Sequence, residues 1–141
     1  MFKSYYLDDN GNEIILDFHK EKDFSGDWSA VLSAQPSNYC IQAIEPSHIV
    51  LVNLKKLEEL SSSNLEIMKV YNSILKRKLT YSFQHLVGNM NEKPETRYLK
   101  LLDKRPDLLA RIHQQDIASY LGITPVSMSR IKKRVVQKYN R

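Results

Sequence analysis

A single cysteine, Cys40, is all the thiol chemistry in this chain of 141 residues. It cannot close an internal disulfide, and it excludes a metal or iron–sulfur site built from several cysteines. A reducing cytoplasm fits such a chain. Long apolar runs are missing too. Nowhere do about 18 apolar residues follow one another, so no membrane span is expected. The opening MFKSYYLDDNGNE lacks the basic start and apolar stretch of a secretory signal. His19, His48, His85 and His113 never pair at i, i+4 beside a carboxylate, which leaves a zinc site without support. No Ser-His-Asp or Cys-His signature is present. An enzyme is therefore not expected, and no cofactor is implied. Acidic residues are scarce in one region only. Residues 100–141 hold ten Lys or Arg against three Asp or Glu, a balance of +7, while residues 1–99 hold eleven against thirteen, a balance of −2. A positive field gathered on the C-terminal segment points to phosphate as its partner.

The segment under that field is IASYLGITPVSMSRIKK, Ile117 to Lys133. Ile117, Ala118 and Leu121 put small or apolar side chains on one side of a first helix. Gly122 follows, where a positive φ lets the chain turn sharply. Thr124 can cap the next helix through its hydroxyl, and Pro125 suits the first helical position. Met128, Ile131 and Val135 then recur at i, i+3, i+7 as one buried stripe. Val126, Ser127, Arg130, Lys133 and Arg134 take the other face. This is the pattern of a helix-turn-helix whose second helix enters the major groove. The plainer alternative is a helical hairpin with a solvated basic face.

The N-terminal stretch from Met1 to Asn53 reads as β. Two short strands flank Asp8-Asp9-Asn10-Gly11-Asn12, with Asn10-Gly11 expected to supply positive φ values. Tyr39 to Ala43 and His48 to Asn53 give two further apolar runs. Four strands would leave sheet edges open. Leu54 to Leu60 reads as a short helix, broken by Ser61-Ser62-Ser63, which also offer caps. A long helical pattern follows from about Asn64 to Asn89. Met68, Asn72, Leu75, Leu79, Ser82 and Leu86 alternate along it at spacings of four and three, a coiled-coil seam with polar interruptions. Ile67, Tyr71 and Ile74 form a neighbouring stripe suited to the β part. The seam reads as a parallel dimer axis; the alternative is a monomer's own core helix. Gly88 to Pro94 reads as a hinge. Glu95 to Leu102 and a short turn from Pro106, with Leu108, Leu109 and Ile112, complete a small helical core, and Gln137 to Arg141 form a basic tail.

The order of β hairpins, long helix, hinge and helix-turn-helix resembles the Crp/Fnr family of bacterial transcription regulators. The likeness is strongest in TRYLKLLDKRPDLLARIHQQDIASYLGITPVSMSRIKKRV, Thr96 to Val135, and extends loosely back to Phe2. It implies an α+β chain: a partial β-roll of the cyclic-nucleotide-binding kind over residues 1–60, a dimerisation helix over 61–91 and a winged helix-turn-helix over 92–141. It also implies that the N-terminal part of the usual β-roll is not in this chain. Gly26-Asp27 resembles the start of the family's phosphate cassette. Its phosphate-pairing Arg position aligns with Ser37, next to Asn38, so no response to cAMP or cGMP is expected. On the reader helix the family's cytosine-reading Glu position is Val126, which can touch a thymine methyl but accepts no hydrogen bond. Arg130 matches the family's base-reading Arg and is expected on a guanine's O6 and N7. Gln114, Gln115 and Thr124 are expected on the DNA backbone, beside Pro125, Val126 and Ser127 at the groove, with Lys133 and Arg134 meeting phosphates. The expected partners are double-stranded DNA at a near-palindromic site and a second copy of the chain, with RNA polymerase as a further candidate. The two alternatives are an interaction protein that pairs with a full-length relative and a sensor module for some other small molecule.

Overall fold

The computed structural model describes residues 1–139. Its N-terminal hairpin joins β1 (Phe2–Leu7) to β2 (Glu13–His19), antiparallel, with a bulge at Ser4/Tyr5. The connecting turn is built by a side chain. Asp8 Oδ1 accepts from the amides of Asn10 (2.9 Å) and Asn12 (2.8 Å), and Oδ2 accepts from Asn12 Nδ2 (3.0 Å). Those bonds hold the Asp8 carboxyl below its usual range. Gly11 has φ +79° but Asn10 has no positive φ, contrary to the expectation from Asn10-Gly11. The Asp8 carboxylate organises a longer turn than the two-residue hairpin would need.

Only three strands form among the described residues. β3 (Cys40–Ala43) pairs with the other side of β1, giving the order β2-β1-β3. The strand expected at His48 to Asn53 is absent. Val50 and Leu51 are 88% and 87% exposed, because no strand edge lies alongside to take their backbone groups. Between β2 and β3 stands a helix the sequence reading missed, α1 (Trp28–Ser33), capped by Asp27, whose carboxylate accepts from the Ala30 amide at 3.0 Å. It is short and ends at Ala34 in the left-handed region, φ 52°.

α2 (Leu54–Ser63) starts at an Asn53 cap and runs through Ser61 to Ser63. Those serines do not break it, since their hydroxyls donate back to the Glu58 and Leu60 carbonyls. Asn64 is the cap instead, accepting from the Glu66 and Ile67 amides to open α3 (Leu65–Asn91), of 27 residues and about 40 Å. α3 swallows most of the expected hinge. Only Glu92 and Lys93 separate it from α4 (Pro94–Lys104), which Pro94 starts. α5 (Pro106–Arg111), α6 (Gln114–Tyr120) and α7 (Pro125–Tyr139) complete the chain.

The apolar residues of these parts form one core. Met1, just before β1, and Ile15 and Phe18 of β2 lie in the same cluster as Tyr98, Leu101, Leu108, Ile117, Met128, Ile131 and Val135 of the C-terminal helices. The core thus runs across the boundary at residue 92. No wing is seen: among the described residues no strand follows Ala43, and α7 continues unbroken to Tyr139. Gln137 to Tyr139, expected in a basic tail, belong to that helix, while Asn140 and Arg141 lie outside the described residues.

Candidate nucleic-acid interface

α6 and α7 make the expected helix-turn-helix, and the turn between them is built as its residues dictate. Gly122 has φ +63°, a conformation that costs a glycine nothing. Thr124 Oγ1 accepts from the Ser127 amide (3.2 Å) and its hydroxyl donates to Ser127 Oγ (3.0 Å). Pro125 opens α7, where a missing N–H is harmless. Met128, Ile131 and Val135 are buried at 1%, 3% and 5% exposure, which fixes the rotation of α7. Val126, Arg130 and Lys133, at i, i+4, i+7, are therefore turned outward and exposed, with Thr124 and Pro125 exposed before them and Ser127 half-buried. No acidic residue occurs in α7. Arg130 and Lys133 make no ion pair among the described residues, whereas Arg134 is held by Glu95 of α4 at 3.2 Å. Gln114 and Gln115 are exposed in the first turn of α6.

Three features that hold α6 and α7 in place were not legible in the sequence. Arg97 of α4 donates to the carbonyls of Asn89, Glu92 and Leu121, tying the end of α3 to the turn between α6 and α7. Ser119 of α6 lies against the outer edge of β2. Its Oγ accepts from the Ile15 amide (3.0 Å) and donates to the Glu13 carbonyl (3.1 Å). Charges surround this contact. Lys3 pairs with Glu13 and stands 3.7 Å from Asp116 of α6. Burial alone would depress the Lys3 amine, but the Glu13 hydrogen bond and the Asp116 charge raise it. Arg111 of α5 bonds to both Glu21 (2.7 Å) and Glu45, and Glu45 also takes the Met1 amine at 2.9 Å. The Arg111 guanidinium holds the Glu21 carboxyl down to about 2.

A polar chain joins the sheet, α3 and α6. Asp17 Oδ1 accepts from the Tyr81 hydroxyl (2.8 Å) and Oδ2 from Lys78 (3.1 Å). Tyr81 meets the Tyr120 hydroxyl at 3.0 Å, and Tyr120 meets His85 Nδ1 at 3.4 Å. Burial raises both phenols and lowers His85. Each is a residue whose sequence neighbours give no sign of the contact.

The six seam residues lie along the outer side of α3. Met68, Asn72, Leu79, Ser82 and Leu86 are exposed and Leu75 half-buried; of the neighbouring stripe, Tyr71 and Ile74 are buried and Ile67 is half-buried, and the Tyr71 hydroxyl donates to Glu58 of α2 at 3.1 Å rather than to the β part. Phe83 and Met90 add to the exposed apolar surface, at 65% and 75%. A groove of about 920 Å³ runs between this face and Trp28 and Leu32 of α1. The four cassette residues do come together, but around a carboxylate. Asp27 Oδ2 accepts from Ser37 Oγ (3.0 Å) and the Asn38 amide (3.1 Å), while the Gly26 carbonyl accepts from the Tyr39 hydroxyl at 2.6 Å. Burial would raise the Asp27 carboxyl, but the Ala30, Asn38 and Ser37 bonds outweigh it and lower it. Burial pushes the Tyr39 phenol up to about 12.

No family model matches the chain, and no curated protein sequence matches it. Among solved structures it matches FixK2 from Bradyrhizobium japonicum with a TM-score of 0.66 over 97% of this chain and 71% of that one, at 19% identity. The likeness read from Thr96 to Val135 thus holds across nearly the whole length, and the chain has the fold of FixK2, a Crp/Fnr family regulator.

Proposed function

We propose that this chain is a dimeric, sequence-specific DNA-binding transcription regulator of the Crp/Fnr type, acting in the cytoplasm. The observation that carries the reading is the outward face of α7. Val126, Arg130 and Lys133 stand free of acidic neighbours on a helix whose rotation is fixed by a closed core. Arg130 is the base reader, through a guanine's O6 and N7, and Val126 meets a thymine methyl. Lys133, Thr124, Gln114 and Gln115 meet the phosphate backbone, and Arg134 joins them by leaving Glu95. The exposed seam of α3 supports the dimer, because so much apolar surface on one helix is expensive to leave in water. Asn72 and Ser82 set the register. Two readers would then sit about 34 Å apart on a near-palindrome.

The cassette supports a regulator unresponsive to cyclic nucleotides. Asp27 already spends its acceptors on Ser37, Asn38 and Ala30, and no guanidinium stands among them. The deciding experiment is selection from random DNA duplexes at moderate salt, followed by sequencing. A recovered near-palindrome is the expected result. Retention of DNA with no enriched motif would leave only counterion release and would refute base reading by α7. The exposed seam equally suits pairing with a longer relative, and mixed dimers on co-expression would favour that reading.

A further inference from the structure

Arg97, near the start of α4 and half-buried, ends among three carbonyls. Nη1 donates to Asn89 at 3.2 Å and to Glu92 at 2.9 Å, and Nη2 donates to Leu121 at 2.5 Å. The first two belong to the last turn and the cap of α3, the third to the cap of α6. We infer that Arg97 is a positioning residue: it fixes the angle of α6 and α7 to α3 and, through that angle, the spacing of the two half-sites a dimer would read. The half-site spacing rests on the dimeric, DNA-binding reading above; the fixed angle does not.

The last carbonyls of a helix have no amide in their own helix to bond, and they form the negative end of its dipole. Those of α3 and α6 meet at one corner. The Glu92 amide goes to Gly88 and the Gly122 amide to Ser119, so neither serves the Asn89 or Leu121 carbonyl. One cation between two negative helix ends answers both. A guanidinium does more than balance charge. It is planar and points its donors in fixed directions, and its bonds are about twice as strong as neutral ones. Two of its nitrogens bonded to separate helices hold those helices at one distance and one angle. An ammonium on a flexible stem does not.

The corner needs such a hold. Only Glu92 and Lys93 link α3 to α4, a joint whose backbone turns freely unless something crosses it. Two other contacts reach α4 here. Lys100 pairs with Glu92, and Glu95 holds Arg134 of α7 at 3.2 Å. On the DNA-binding reading Arg134 leaves Glu95 for a phosphate, so Arg97 is the tie that stays. The leverage is large. α7 has 15 residues and is about 22 Å long, so a turn of about 10° at the corner shifts its far end by about 4 Å, close to one base-pair step.

Two measurements test this, the first without DNA. The full chain, with Cys40→Ser, carries spin labels at Thr80→Cys of α3 and Val136→Cys of α7, both exposed positions. Excess unlabelled chain leaves only distances within one chain. With Arg97 in place a single narrow distance is expected; Arg97→Lys, which keeps the charge, should widen the distribution about twofold with an unchanged circular dichroism spectrum. The second is selection from random duplexes. The wild type should recover one half-site spacing, and Arg97→Lys the same half-site bases at spacings spread by about one base pair either way. A merely structural role would weaken every site alike and leave the spacing single. An equally narrow distance in Arg97→Lys overturns the inference whether or not DNA binds, and so does an unchanged single spacing. A distance that widens in a chain selecting no motif would refute the DNA reading and leave the hold of Arg97 on the helices standing. Should Arg97→Lys not fold, nuclear magnetic resonance of the wild type decides: resolved, slowly exchanging Arg97 Nη protons support the three bonds, and one averaged signal overturns them.

Discussion

Replacing Ser119 with alanine removes one oxygen and tests how α6 is fixed to the sheet. The Ser119 hydroxyl occupies the outer edge of β2, taking the Ile15 amide at 3.0 Å and giving to the Glu13 carbonyl at 3.1 Å. Ile15 is 4% exposed, so its amide has little access to water once the hydroxyl is gone. An orphaned buried donor costs about 2 kcal/mol. Alanine is the better helix former in α6 by about 0.5 kcal/mol, which offsets part of that. The net loss is then about 1.5 kcal/mol, and no cavity term enters because only a hydroxyl is removed. For a domain of this size the melting temperature should fall by about 5 °C. Amide hydrogen exchange supplies the local reading: protection of the Ile15 amide should drop about tenfold. A melting temperature equal to or above the wild type, with Ile15 protection unchanged, would show that helix propensity alone governs the site and that Ser119 does not bond the strand.

The other expectations concern the reader, the seam, the turn and the histidines. Arg130→Ala should cost about 1–3 kcal/mol on the selected site and relax preference at one base pair, whereas Lys133→Ala should weaken all sequences alike and lower the salt slope by about one; both are read by titration on specific and random duplexes. Leu79→Glu should convert a dimer to monomers in sedimentation equilibrium with helix content retained, since Leu79 is 72% exposed in the single chain. Gly122→Ala should destabilise by about 1 kcal/mol in chemical denaturation through its backbone alone. An added Cβ meets nothing closer than Arg97 Nη2 at 3.8 Å. Burial lowers His19 and His85 below their usual 6.5, so the unfolded chain binds more protons in acid. Their contribution is intact above that value and is lost as pH falls below it; thermal melts from about pH 7 to about pH 5.5 should show the decline, and His19→Gln should flatten it.

What could be read from the sequence was whatever a local pattern encodes. Met128, Ile131 and Val135 recur with the helix period, and the helix they belong to is rotated as that period demands. Gly122, Thr124 and Pro125 act through their own backbone, so the turn was legible residue by residue. Of the stripe Ile67, Tyr71 and Ile74, the last two are buried and Ile67 is half-buried. Errors came where a distant partner decides. The run His48 to Asn53 has strand composition, but a strand needs a neighbour and none pairs with it among the described residues. Ser61 to Ser63 look like a break, yet their hydroxyls turn back onto the helix carbonyls. The wing implied by the family likeness depended on strands that do not follow Ala43 among the described residues. Arg97 and Ser119 matter through contacts made across the fold, and nothing in their immediate neighbours announces them.

The bond between Ser119 and Ile15 spans 104 residues, and that between Arg111 and Glu21 spans 90. The hairpin is made on the ribosome well before the helices that its apolar side closes against. During synthesis Ile15 and Phe18 therefore wait, uncovered, until α6 has left the exit tunnel. Closing this core is then slow for the helix content, since so much loop must be closed before the sheet is covered. The nascent hairpin, with its open edges, is the stage at which a chaperone has most to protect.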